Sequence, residues 1–365
     1  MANITDKSNK KSSNLYLFPS LSGKFSGYSI AVSSDIEYFR PTNEDYQVFI
    51  IETPTSINED AVNTLYIYRN DVFFRLANLI SNGHPGFFSG YILKKRIKKA
   101  FGKTEFDKIF YGDINFIPLF KYLKANQTIV RLHNSYIKMF DNLIRNKLLF
   151  KDFRVLYVCY FGSIIEKKII NEKRRNNSLH IKMITNEERD FINNRYFINC
   201  STLPVKIEPC KKNILRKEKI TWNKKLVWFG GLSSHKKIGI DVFIEKVYKP
   251  IALIHSDIEL DLYGKGTNKY NNSNLRIKGF GFVKDFDFNT FHNSLFINPD
   301  IIGGGIKLKL FDFYNNNANC LSTKLGVEGF PFARNSKNLI ILPIEEWSKF
   351  INDLHANIYS LDQKR

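Results

Sequence analysis

Residues 295–313 read LFINPDIIGGGIKLKLFDF, and residues 314–330 continue YNNNANCLSTKLGVEGF. The apolar run 294–297 predicts a buried strand, and Pro299 ends it, because proline cannot donate to a sheet ladder. Gly303, Gly304 and Gly305 follow. Ile306, Leu308, Leu310, Phe311 and Phe313 then recur as the apolar members of a helix that opens at Ile306. A strand, a glycine loop and a helix start together aim free backbone N–H groups at an anion, and glycine lets a phosphate come close. Lys307 and Lys309 add positive charge, and Asp312 lies about two turns into the helix. A second strand at 320–322 leads into a loop with Thr323, Gly326, Glu328 and Gly329.

The pattern repeats upstream. KLVWF at 225–229 is followed by Gly230, Gly231, then His235, Lys236 and Lys237, with a helix from Ile240 to about 254. IELDLY at 258–263 runs into Gly264-Lys265-Gly266, and 275–278 runs into Gly279-Phe280-Gly281. Strands that each end in glycine describe a parallel sheet with its ligand loops along one edge. The first half opens the same way: a strand at 15–19, a Gly/Ser loop holding Gly23 and Gly27, a helix at 30–39 and a strand at 48–51. Further strands fall at 106–111, 128–132, 179–184, 196–198 and 205–207, with 154–160 undecided between strand and helix. The class is α/β with doubly wound sheets.

The chain has 365 residues, room for two domains, and 43% hydrophobic residues, enough for packed cores. Its formal net charge of +20 implies anionic partners: phosphorylated substrates, acidic lipid or nucleic acid. A high content of Asn, Lys, Ile and Phe points to an AT-rich coding sequence, which accounts for part of that charge. The four cysteines, Cys159, Cys200, Cys210 and Cys320, form no C-x-x-C pair and read as buried thiols in a reducing compartment. No apolar run is long enough to span a bilayer, and the polar stretch 1–14 lacks the apolar core of a secretory signal, so it reads as a disordered tail. A cytoplasmic location is expected.

FFSGYILKKRIKKAF at 87–101 interleaves aromatic and aliphatic residues with Lys94, Lys95, Arg96, Lys98 and Lys99. That composition suits an anionic membrane surface, on the inner face of the plasma membrane or against an acceptor, and equally suits a solvated helix face. Asp285-Phe286-Asp287 matches a short metal-site signature, but it lies in a polar turn and no metal or cofactor is expected. The strand 128–132 ends in Arg131-Leu132-His133-Asn134, which puts His133 where open α/β sheets place their sites.

The order Pro299, Gly-x-Gly-Ile-Lys-x-Lys, Asp312, then Ser-Thr-x-x-Gly-x-Glu-Gly resembles the donor half of GT-B glycosyltransferases. The likeness is to the large retaining family that includes many bacterial polysaccharide and lipopolysaccharide enzymes, and Arg131 to Asn134 extends it to the first half. It implies two Rossmann-like domains facing a cleft: residues 15–212 for the acceptor, residues 213–343 for a nucleotide sugar, and a last helix in 344–365 returning to the first domain. It implies transfer of a sugar from a UDP- or GDP-linked donor to a glycan or lipid-linked acceptor hydroxyl, with retention and without a metal. His133 and Glu328 take catalytic positions. Gly27, Gly231, Lys237, Gly264, Gly303, Gly304, Gly305, Ile306, Lys309, Asp312 and Thr323 take donor-binding positions. The chain departs from the family twice: Gly231 stands where an arginine is usual, and Gly304 where the first of two glutamates is usual. Those departures motivate a second reading, a non-catalytic scaffold on the same fold. Charge alone motivates a third, a nucleic-acid binder, although no recognition motif accompanies it.

Overall fold

Alternating large apolar side chains in short runs bounded by glycine and proline build two sheets, each buried on both faces. The computed structural model describes residues 14–19, 27–39, 46–51, 94–95, 97–99, 102–207, 222–232, 234–284, 286–291, 293–333 and 336–357. Residues 1–13, 52–93 and 208–221, with Gly23, Arg96, Cys210 and Asp285, lie outside the described residues. The chain divides into two units. The first is Met1–Ile137 with Phe161–Lys206, and the second is Lys138–Tyr160 with Ile207–Arg365.

In the first unit, strands β1 (Asn14–Pro19), β2 (Tyr46–Ile51), β3 (Glu105–Tyr111), β4 (Lys124–Leu132), β5 (Leu179–Met183) and β6 (Ser201–Thr202) form one sheet in the order β2-β1-β3-β4-β5-β6. Every pairing is parallel. The period of two sorts the strands by face. Leu15, Leu17, Ile109, Tyr111, Val130 and Leu132 enter one core, while Tyr16, Phe18, Phe110 and Ile129 enter the other. Helix α1 (Gly27–Phe39) covers the second face with Val32 and Ile36. On the first face lie Ile137 of α2 (Tyr136–Arg145), Ile165, Ile169 and Ile170 of α3 (Phe153–Arg175), and Ile192 of α4 (Asn186–Tyr196). The undecided segment 154–160 is thus the start of α3. No strand forms at 196–198, because α4 runs to Tyr196 and Phe197 turns left-handed at φ 53° to cap it. Residues 205–207 are also irregular, and the pairing strand is Ser201–Thr202.

In the second unit, β7 (Lys225–Phe229), β8 (Glu259–Tyr263), β9 (Ile277–Gly281), β10 (Leu295–Asn298), β11 (Asn319–Ser322) and β12 (Leu339–Ile341) pair in parallel in the order β12-β11-β10-β7-β8-β9. One core takes Leu226, Trp228, Leu260, Leu262, Leu295 and Ile297. The other takes Val227, Tyr263, Phe296 and Cys320. Helix α5 (Ser234–Phe243) passes through a single π turn at Ile244–Tyr248 into α6 (Lys249–Ile254), and all three segments cover the first face. Pro250 lacks the N–H an α-helix would need there, and the wider π turn just before it accommodates the loss. Helix α7 (Lys309–Asn315) covers the other face with Leu310, Phe311 and Phe313.

Two features depart from the expected domain boundaries. Lys138–Tyr160 belongs to the second unit, so α2 and α3 are each shared between the units. Among the described residues the last helix, α8 (Trp347–His355), packs on the second unit: Trp347, Phe350, Ile351 and Leu354 lie in its core, and the Trp347 indole donates to Leu342 O at 3.0 Å. Four large apolar residues on one face are better buried against their own sheet than carried elsewhere.

Candidate functional site

In a doubly wound sheet, ligands gather where neighbouring strands send their connections to opposite faces. In the second unit that point lies between β7 and β10. The two loops there are held together by backbone contact. A Cβ on Gly239 of α5 would stand 2.4 Å from Pro299 O, so only glycine lets α5 pass the end of β10 this closely. Asn298 Nδ2 donates to Ser322 Oγ (3.0 Å) and Gly326 O (2.9 Å). Thr323 Oγ1 donates to Asp300 O and accepts from Gly326 N (2.9 Å). The Thr323 hydroxyl, expected on the donor, is therefore occupied in joining the ends of β10 and β11.

Four basic side chains converge on this corner. Lys309 is nearly buried, with Nζ 3.5 Å from Asp300 Oδ1 and 5.8 Å above the Trp228 ring. Lys307 folds back and donates to Gly304 O (2.8 Å) and Gly305 O (3.2 Å). His235 lies beside Gly303, whose missing Cβ would stand 3.6 Å from Lys307 Nζ and 3.7 Å from His235 Cδ2. Lys236 completes the group and makes no hydrogen bond or ion pair among the described residues.

The electrostatics of the group are lopsided. Burial would raise the Asp300 carboxyl, but Lys309, Lys307 and Lys236 more than offset it and hold the group ionised, below its ordinary value. Burial pushes His235 down to about 4 against the pull of Asp300, and Lys236, Lys307 and Lys309 add to the depression, so the imidazole is neutral at pH 7. Burial and the neighbouring Lys309 and Lys307 depress Lys236, with Asp300 opposing them. Three lysines thus share one buried carboxylate. Like charges crowded in a poorly solvated corner, with one carboxylate facing them among the described residues, leave a local surplus of positive charge that can receive an anion.

Three expectations for this region change. The helix begins at Lys309 rather than Ile306, and Ile306 is half-buried in the preceding irregular segment. The glycines therefore form a free-standing loop, with Gly303 at φ 141° and Gly305 at φ 63°, conformations side-chain-bearing residues avoid. Lys237 does not join the cluster: it pairs with Asp241 one turn along α5, and Tyr270 holds the other oxygen of Asp241 at 2.6 Å. Helical phase explains the difference, because Lys236 shares a face with Gly239, which abuts Pro299, whereas Lys237 points about 100° away. Gly264 serves backbone packing: at φ 140° its Cβ would meet Gly230 O at 1.8 Å. Gly231 is exposed, with nothing within 4 Å of where a Cβ would stand.

Asp312 stands open to water on one side of α7, while the protein crowding its other side raises its carboxyl to about 6. Glu328 is mostly buried and pairs with Lys138 of α2 at 2.8 Å, and its second oxygen is buried without a hydrogen-bond partner among the described residues. Lys138, His235 and Asp300 were not singled out by the sequence pattern, and Lys236 stood only as the alternative to Lys237. The Lys236-Lys237 pair was visible, but only the register of α5 separates their roles.

In the first unit the corresponding point lies between β1 and β3. His133 is buried there, its Nε2 2.9 Å from Gly112 O and 3.7 Å from Asp35 Oδ2. Arg131 donates to Asp35 Oδ2 (3.0 Å) and Met183 O (2.8 Å). Burial, together with Arg131, pushes His133 down to about 3, so it is neutral and its Nε2–H donates to the Gly112 carbonyl. Gly27 is the first residue of α1. Of the basic patch, Ile97 is in the core, Lys94 Nζ stands 5.5 Å over the Tyr122 ring, and Lys95, Lys98 and Lys99 are exposed. Asp287 caps its own turn, accepting from Asn289 N at 2.9 Å.

No family model matches the sequence, and no curated protein does. Solved structures do match. One is a glycosyltransferase from Rickettsia africae ESF-5 (TM-score 0.51, 14% identity, 97% of this chain and 91% of that one). Another is WaaG, a glycosyltransferase involved in lipopolysaccharide biosynthesis (0.52, 12%, 93% and 90%). A third is a UDP-forming α,α-trehalose-phosphate synthase from Burkholderia xenovorans (0.54, 13%, 96% and 92%). Identities this low speak to architecture, and the architecture is clear: two Rossmann-like α/β domains with the GT-B fold of glycosyltransferases.

Proposed function

We propose that this chain is a glycosyltransferase that moves a sugar from a nucleoside-diphosphate sugar to an acceptor hydroxyl, with retention of configuration and without a metal, in the assembly of a bacterial surface polysaccharide or lipopolysaccharide. The observation that carries the reading is the surplus of positive charge around Asp300, at the switch point of a six-stranded sheet of Rossmann order. A departing diphosphate is the anion such a corner suits. Lys236 and Lys309 supply charge, and the N–H groups of the Gly303–Gly305 loop supply donors. Asp312 binds the ribose hydroxyls. Glu328, held by Lys138, orders the loop after β11 near the sugar. His133, neutral and bonded to Gly112 O, fixes the ends of β3 and β4 rather than carrying a proton. Solved relatives of this fold include a protein from Anabaena, HepE, in complexes with UDP and with UDP-glucose, which makes uridine the first base to test. An acceptor presented at a membrane surface accords with the net charge of +20.

Calorimetry with UDP, GDP and their sugars tests the reading. The wild-type chain should bind one nucleotide class. Lys236→Ala should weaken that binding roughly tenfold to a hundredfold, the loss of one charge-assisted contact, while the fold persists. No heat with any nucleotide would favour the scaffold reading that Gly231 and Gly304 suggest. The anomeric configuration of the product, read by NMR, decides retention.

A further inference from the structure

The hairpin between α2 and α3 carries a surface that nothing in the donor site uses. Beyond Arg145, the last residue of α2, the chain is closed off by Lys147 in the left-handed region at φ 55°, with Leu148 N bonded to Leu143 O (2.9 Å) and Lys147 N to Ile144 O (3.0 Å). This is a Schellman closure, and Leu143 and Leu148 are buried beneath it. Its outer side is left to water. Phe150 is 78% exposed and Phe153 is 70% exposed, their rings 6.5 Å apart edge to face. Tyr157, one turn along α3, continues the same face and is also exposed. Exposed Arg145, Lys147, Lys151 and Arg154 surround these rings. The only acid from 142 to 158 is Asp152, and its Oδ1 accepts from Arg154 N (2.8 Å) and Val155 N (3.3 Å) at the start of α3.

Large aromatic rings on the outside of a tight turn lose free energy to water unless something covers them. The surrounding charges say what does. Protein interfaces are depleted in lysine at their centres, whereas surfaces that rest on lipid pair aromatic side chains with lysine and arginine. No helix among the described residues is long and apolar enough to cross a membrane, so the contact is superficial. We propose that this tip docks on an anionic lipid bilayer, with Phe150 and Phe153 entering the headgroup region and the four cations meeting lipid phosphates. Helix α2 also carries Lys138 to Glu328 (2.8 Å) and Asn146 to Ile301 O (3.3 Å). If the donor reading above holds, the docked tip and the loops of the donor site share one helix.

The test is co-sedimentation of the full chain with vesicles of phosphatidylcholine alone, or of phosphatidylcholine and phosphatidylglycerol in equal parts. The wild type should sediment with the anionic vesicles. Phe150→Ser with Phe153→Ser should weaken that affinity roughly tenfold or more. Lys147→Glu with Lys151→Glu should remove the preference for anionic lipid. All four positions are exposed, so melting temperatures should match the wild type. The proposal is overturned if the wild type stays in the supernatant, or if the phenylalanine variant sediments as the wild type does. It is also overturned if only Lys95→Glu with Lys98→Glu and Lys99→Glu abolishes sedimentation. Light scattering that shows self-association through Phe150 and Phe153, with no vesicle binding, would assign the tip to a protein contact instead. Calorimetry with UDP on the same variants should match the wild type, which keeps the fate of this proposal separate from that of the donor site.

Discussion

Each unit gathers charged residues at the switch point of its sheet, and the two gatherings are built on opposite principles. In the first unit Arg131 pairs with Asp35 and gives its other bond to the Met183 carbonyl, and Glu188 adds a weaker pull. Burial raises Asp35 to about 6 against the pull of Arg131, and both side chains are almost wholly enclosed. In the second unit three lysines share Asp300, and one of them, Lys236, makes no hydrogen bond or ion pair among the described residues. A balanced, enclosed pair has satisfied its charge inside the protein. An unbalanced, half-open group has not. Charge balance, more than burial or a shifted pKa, separates the structural cluster from the candidate site, since pKa values are displaced in both.

The balanced cluster should fail on removal of one partner. Arg131→Met would leave Asp35 buried without its cation, a loss of about 3–5 kcal/mol of stability. Urea denaturation should show that loss, and Arg131→Met with Asp35→Leu should recover most of it, because two apolar residues need no charge partner. An unchanged midpoint in the single variant would break the comparison, since the pair would then not be the structural element its enclosure indicates.

A second buried carboxylate sharpens the same point through pH. Glu166 of α3 accepts from Ser135 Oγ (2.9 Å) and Ile137 N (2.8 Å) at the start of α2, and Glu188 accepts from Ser135 N (2.9 Å). Burial raises Glu166 to about 8, against the hydrogen bonds it accepts and with a further push from Glu188. The folded chain therefore keeps a proton that the unfolded chain releases near its ordinary value of 4.5. The stability from this group is complete below pH 4.5 and is lost as pH rises toward 8. Asp35 and Asp312, each raised to about 6, act in the same direction only at lower pH, while His133, His180 and His235 act oppositely below their ordinary value of 6.5. The interval between pH 6.5 and 8 thus isolates Glu166, where stability should fall by up to about 1.4 kcal/mol per pH unit. Glu166→Gln should flatten that slope in thermal melts. An equally steep slope in the variant would mean that Glu166 is already ionised in the fold.

Most strands were legible because they are short apolar runs ended by glycine or proline, whereas the apolar residues at 196–198 and 205–207 end a helix and fill an irregular segment. Gly303 to Gly305 and Lys309 were legible from local order alone. Lys138 was not, because its partner Glu328 lies 190 positions away in sequence and nothing local marks the pair. Nor was the start of α7. The apolar residues at 306 and 308 fit a helical period, but Ile306 and Leu308 pack into the second unit's aromatic core from an irregular segment, and Lys307 closes back on the glycine carbonyls. The C-terminal helix was misplaced for a related reason: its apolar stripe was evident in the sequence, but a stripe says that a face is buried, not against what.

The smallest effect tests the finest distinction, between two adjacent lysines. Lys236 and Lys237 are interchangeable in composition, and the resemblance to known glycosyltransferases gives the phosphate to Lys237 with Lys236 as the alternative. In the fold, Lys237 is tied to Asp241 four residues on, and both are substantially exposed. A pair of that kind contributes about 0.3–0.5 kcal/mol to the helix, and water already screens its charge. Lys237→Ala should therefore change UDP affinity by less than about twofold and the melting temperature barely, whereas Lys236→Ala should weaken binding without lowering stability, since it relieves repulsion from Lys307 and Lys309. The measurement is a pair of UDP titrations at equal salt. If Lys237→Ala proves the more damaging, Asp241 must release it when the nucleotide arrives. The surplus charge beside Asp300 would then have to answer to some anion other than the diphosphate.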